Sequence, residues 1–186
     1  MALWIVSIAA AIGVAVVVIY NSIVKLRVLS DNAWADIDVQ LKRRHDLVPN
    51  LVEAVKGAAG YERGTLEAIV DARSRAMSAQ GPTARGEAEG ALTAALRQFF
   101  ALAESNPQLR AVESFGQLQA SLSQLEDAIQ NARRYYNAVV RDLNTRVQQF
   151  PANLVAGAFR FSPREFFQLD ADREREVPVV NVSGIR

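Results

Sequence analysis

The chain contains no cysteine and a single histidine, His45. Without cysteine it has no disulfide, no thiolate metal site, no catalytic thiol and no lipid-modified Cys anchor. One histidine also rules out the carboxylate-bridged dimetal bundles, which need a Glu-x-x-His pair on each of two helices. On a helix the neighbours of His45 are Leu41, Lys42, Val48 and Pro49, none of them a metal partner; it reads as a solvated residue beside Asp46. No Gly-x-Ser-x-Gly or Walker-type run is present to activate a nucleophile or cradle a phosphate. An excess of one charge is missing as well: 21 Lys and Arg stand against 20 Asp and Glu. A nucleic-acid binder would show a clustered basic excess. The expectation is a protein that is not an enzyme, with no catalytic residues, metal, cofactor or nucleic-acid partner.

Charged side chains are also absent before Lys25. A helix from Leu3 to Val24 would be about 33 Å long at ~1.5 Å per residue, matching a hydrocarbon core of about 30 Å. Trp4 and Tyr20 would then lie near opposite interfaces. The segment lacks a basic start and stays apolar well beyond the small residues Ala9 to Ala11, so it reads as an uncleaved anchor rather than a signal peptide. Lys25 and Arg27 flank it on one side, with Lys42, Arg43 and Arg44 further on. By the positive-inside rule the N-terminus lies outside and the body in the cytoplasm.

Beyond the anchor the pattern is helical almost throughout. Leu26, Leu29, Ala33, Ile37, Leu41 and Val48 form one stripe of a first helix, which Pro49 is expected to kink or, more readily, to break. A second helix is predicted from about Asn50 to Ala79, stopped by Gly81-Pro82. Thr83 is read as the cap of a third, whose buried face is Leu92, Leu96, Phe99 and Leu102. Asn106-Pro107 opens the fourth, predicted to run to about Gln149. In it Phe115, Leu118, Leu122, Leu125, Ile129, Ala132, Tyr136, Val139 and Leu143 recur at alternating spacings of three and four. This heptad seam, with Leu125 as a core residue, serves either the interior of an antiparallel bundle or an intermolecular coiled coil; the bundle is preferred because three other amphipathic segments can cover it.

Half of the eight Phe lie at Phe159, Phe161, Phe166 and Phe167. Ser162-Pro163-Arg164-Glu165 has the form of a capping box, and Phe161 with Phe166 that of a hydrophobic staple, so a short helix is expected from Pro163. The staple leaves Phe159 and Phe167 to find another surface. Residues 170–186 read as a flexible tail.

Several of these runs resemble the LemA family: Tyr20-Asn21-Ser22-Ile23-Val24, the stretch from Ala33-Trp34-Ala35-Asp36 to Val48-Pro49-Asn50-Leu51-Val52, Ala132-Arg133-Arg134-Tyr135-Tyr136-Asn137, Phe150-Pro151-Ala152-Asn153-Leu154, and Phe159-Arg160-Phe161 to Phe166-Phe167. The resemblance implies an all-α protein of the bacterial cytoplasmic membrane: one transmembrane anchor (1–24), an antiparallel up-and-down four-helix bundle (25–169), and no catalytic residues to carry over. Membrane lipid is the expected partner of residues 1–24, with an unidentified protein or a second copy as a further one. Phe159, Phe161, Phe166, Phe167, Lys42, Arg43 and Arg44 are the candidate interaction residues. A scaffold or adaptor is the leading function, with phenylalanines packed on the bundle. A membrane-shaping protein, with those rings facing lipid, is the alternative.

Overall fold

In the computed structural model, residues 1–56, 63–106, 109 and 112–168 are described. Helix α1 runs without interruption from Ala2 to Lys56. It is followed by α2 (Arg63–Ser78), α3 (Pro82–Glu104), α4 (Glu113–Gln148) and the short α5 (Ala152–Ala158). No strand occurs among the described residues. The apolar opening of α1 is long and hydrophobic enough to cross a membrane, and none of its most apolar window is buried by the protein.

Pro49 does not break α1, contrary to the sequence expectation. A proline inside a helix leaves the carbonyl four residues earlier without its donor. Here that carbonyl belongs to His45, and Arg73 Nε of α2 donates to it at 2.8 Å. A side chain from a neighbouring helix thus replaces the missing N–H, and residues 50–56, expected to open a second helix, continue α1 instead.

The helices run alternately up and down. Leu66 and Ile69 of α2 pack with Val52 and Val55 of α1, Phe99 of α3 with Phe115 of α4, and Ile23 near the anchor with Leu143 and Val147 at the other end of α4. Core clusters follow one another along the bundle: a far-end cluster from all four long helices, a middle one of Ala33, Ile37, Leu41, Ile129, Tyr136, Val140 and Phe167, and one at the anchor end where α5 joins. The four-helix antiparallel bundle expected from the sequence is the architecture found.

The heptad seam of α4 is internal, but unevenly. Phe115, Leu122, Ile129, Tyr136 and Leu143, seven residues apart, are all buried, whereas Leu118, Leu125 and Ala132 are only half-buried. Leu125 is therefore not a core residue. It lines an open groove between α1 and α4 with Arg43, Leu47 and Ala128. Similarly, Leu102 is exposed and Ala103 takes its place in the core. Thr83 caps nothing: α3 starts with Gly81 at φ 81° and Pro82 in its first turn. The proposed start of the fourth helix at Pro107 and the 170–186 tail lie outside the described residues.

The Arg73–His45 hydrogen bond carries a prediction. Arg73→Ala orphans a partly buried carbonyl and is expected to cost about 1–3 kcal/mol. In a Pro49→Ala background, where residue 49 regains its N–H, the same change should cost much less. Denaturant unfolding of the full-length protein in micelles measures this cycle, and equal costs in both backgrounds would refute the compensation.

Candidate functional site

No helix forms at Pro163. Residues 161–168 instead run as an extended strap over the bundle, which corrects the capping-box and staple readings. Two α4 asparagines hold its backbone. Asn144 Nδ2 donates to the Arg164 carbonyl at 2.9 Å while its Oδ1 accepts the Arg164 N–H at 2.8 Å. Asn137 repeats the arrangement on Phe167, at 3.0 and 2.9 Å. The spacing is mechanical: seven helical residues rise about 10.5 Å, and three extended residues span about 10 Å. An extended chain therefore meets equivalent side chains one heptad apart.

Between these clamps Tyr136 donates its hydroxyl to the Glu165 carbonyl at 3.0 Å. Burial pushes the Tyr136 phenol above its ordinary value, which keeps it protonated as a donor. Arg164 Nη1 reaches Asp31 and Ser30 of α1, both at 2.6 Å. Thr83 of α3 donates to Glu165 Oε2 at 3.3 Å. The strap thus ties α1, α3 and α4 together. Gly86 of α3 is required for its passage, because a Cβ there would lie 2.0 Å from the Gln168 carbonyl oxygen.

The four sequence-selected phenylalanines separate. Phe167 is fully buried and stacks edge-on to Trp34, with ring centroids 5.7 Å apart. Phe166 packs partly on the same cluster. Phe161 packs at the anchor end and lies 5.6 Å from the Tyr20 ring, so it and Phe166 do not meet. Phe159 is exposed, with its ring 4.8 Å from Tyr20.

The basic run divides as well. Lys42 and Arg43 are exposed, but Arg44 points inward and is buried, as is His45. Neither is a solvated residue. Arg44 forms an ion pair with the fully buried Glu89 of α3 and another with Glu126 of α4 at 2.9 Å, and Nη1 donates to Thr93 at 2.8 Å. His45 Nε2 lies 2.7 Å from the other Glu89 oxygen. Burial pushes the Glu89 carboxyl up, but the His45 hydrogen bond and the charges of Arg44 and His45 outweigh it and hold it below the usual range. Arg44, Thr93 and Glu126 also line an open cleft of about 360 Å³ between α3 and α4. No three acidic or histidine side chains gather as a metal would require, among the described residues.

Sequence reasoning missed Asn137, Asn144, Gly86 and Glu89. The asparagines did leave a faint signal: two poor helix formers one heptad apart, each following a buried seam residue.

These features define a helical bundle continuous with a candidate membrane anchor and bound by an aromatic strap. Residues 33–182 match the LemA family, and the chain belongs to that family. It is also similar to two proteins of Paramagnetospirillum magneticum (strain ATCC 700264 / AMB-1), the magnetosome proteins MamQ 1 and MamQ 2. Each is 24% identical over 175 residues, covering 80% of this chain and 64% of the relative. The chain thus spans less than two thirds of those proteins.

Gly86→Ala should lower the melting temperature and release the strap, seen as faster amide exchange at Arg164 and Phe167 with α4 exchange unchanged. Unchanged exchange there would mean that the strap does not need the close approach. For Glu89, whose folded pKa is depressed, the stabilisation is present above the unfolded value of about 4.5 and is lost as pH falls through the folded value. Glu89→Gln should therefore cost about 3–5 kcal/mol near neutral pH, and the gap to the unsubstituted protein should narrow below pH ~4.5. A gap independent of pH would show that the carboxylate charge is not what stabilises the node.

Proposed function

We propose that this protein is a non-enzymatic, membrane-anchored scaffold whose bundle stands at the cytoplasmic face of the membrane and recruits a protein partner or a second copy. The observation that carries the reading is the unbroken α1, in which the apolar opening and one wall of the bundle are the same helix. Such a helix holds the bundle at a fixed height over the bilayer, which is what a docking platform requires. The open α1–α4 groove offers a partner surface, since Arg43 and Asp46 edge an apolar floor that includes Leu47 and Leu125. Exposed Lys42 adjoins it in the sequence.

The membrane-shaping alternative requires the phenylalanines to face lipid. Packing of Phe161, Phe166 and Phe167 against the bundle favours the scaffold, and Phe159 alone of the four keeps the other reading open. The magnetosome assignment belongs to the two relatives, and at their identity and coverage it is not transferred to this chain.

The chain has lysine only at Lys25, Lys42 and Lys56, so amine crosslinking in native membranes followed by mass spectrometry should give a short, interpretable map. Crosslinks from Lys42 to one reproducible protein, or to Lys42 of a second copy, are expected; a Lys42 linked only within its own chain would count against the scaffold. A reporter fused after Arg186 that is active only in the periplasm should stay silent. Activity there would overturn the cytoplasmic orientation and with it the class of partner.

A further inference from the structure

The short helix α5 packs against the wrong part of α1 for a surface surrounded by water. Its buried residues Ala152 and Ala156 join Ile23, Leu143 and Val147, with Ile19 and Leu26 against them. Phe159 stacks on Tyr20. Ile19, Tyr20 and Ile23 precede Lys25, the first charged residue, and so belong to the uncharged run expected to span the membrane. Ile19 lies six residues before Lys25, about 9 Å along the helix axis. This is the depth to which interfacial segments sink, about 5–10 Å into the headgroup and acyl boundary.

The outward face of the α5 region suits that level. Phe150 is 75% exposed, Leu154 65% and Phe159 54%, and no charged residue occurs between Arg146 and Arg160. An αL turn at Arg160, φ 58°, ends the helix, with the Phe161 N–H donating to the Ala156 carbonyl at 2.9 Å. This turn sends the chain back along the bundle as the strap. Three large apolar side chains are thereby left on the outer side of a segment fixed to the anchor. Solvent would charge for that surface at about 25 cal/mol per Å², whereas the interfacial layer accepts it.

We propose that α5 and its flanking turns form a membrane foot, with Phe150, Leu154 and Phe159 seated in the lipid interface beside the anchor. The partner is the bilayer itself, an apolar layer continuous with the surface of residues 2–18. The inference requires an inserted anchor, but not a particular compartment for the bundle, and it leaves Phe161, Phe166 and Phe167 packed on the bundle as the scaffold reading has them.

The absence of cysteine allows a clean test. Single substitutions Leu154→Cys and Phe159→Cys, at exposed positions, carry a polarity-sensitive dye in full-length protein reconstituted into phosphatidylcholine–phosphatidylglycerol vesicles. Gln98→Cys on the exposed face of α3 is the aqueous control, and Val14→Cys is the inserted control. Unchanged melting temperatures establish that the labelled proteins are folded. Nitroxide lipids labelled near the headgroup should quench the dye at 154 and 159 at least threefold more than at 98, and aqueous iodide should do the reverse. Strong quenching at 14 by deep nitroxides confirms insertion, so a failed foot is distinguishable from a failed anchor. Iodide quenching at 154 and 159 equal to that at 98 would overturn the proposal. Protection at both sites from iodide and lipid quenchers together would also overturn it, and would assign the face to a second copy.

Discussion

Helix α1 carries two surfaces in succession, an exposed apolar one and then a buried stripe, and the other helices are arranged around that change. Over its first turns every side chain is exposed, as suits a helix surrounded by lipid. From Ile23 onward a stripe of Ile23, Ser30, Ala33, Ile37, Leu41, Arg44, Val48, Leu51 and Val55 is buried at spacings that follow one helical face. The change occurs without a loop, so the bundle has no hinge at the anchor. At Pro49 the continuity of this 55-residue helix is supported by Arg73, which supplies the donor that Pro49 lacks.

Polar groups inside this bundle act as fixings more than as a reserve of stability. A buried ion pair adds little over well-packed apolar residues, but separating its partners is costly. Arg44 can reach Glu89, Thr93 and Glu126 together only if α1, α3 and α4 keep their present register. The asparagine clamps work in the same way, since each amide satisfies both backbone groups of one strap residue. A shift of the strap by one residue would leave all four of those groups unpaired.

Periodicity made the long helices and most of the α4 seam legible in the sequence, and the family resemblance added the up-and-down arrangement; the short α5 was not foreseen. What it could not convey were interactions between distant segments that override local preference. Pro49 looks like a stop because its rescuer is 24 positions away in the chain. Ser162-Pro163-Arg164-Glu165 has every local sign of a helix start, yet burial of Phe167 and the two amide clamps favour an extended chain. Lys42-Arg43-Arg44 reads as one basic patch, but successive helical residues are about 100° apart, so Arg44 enters the core while its neighbours stay in water. Leu125 occupies a seam position, but its side chain lies where α1 and α4 splay into a groove. Of the candidate interaction residues, composition could identify the types; which of them remain accessible depends on tertiary packing.

If the apolar opening of α1 spans a bilayer, one helix is both span and bundle wall, and so a lever. Lys56 lies 31 positions beyond Lys25, about 47 Å along the axis at ~1.5 Å per residue. Spans respond to a thinner or thicker bilayer by changing their tilt, and with no hinge in α1 the far end of the bundle must follow. A tilt change of about 10° displaces that end sideways by roughly 8 Å, from the same ~1.5 Å rise. Local bilayer thickness would thereby be converted into the position of the surface formed by the α1–α2 and α3–α4 ends.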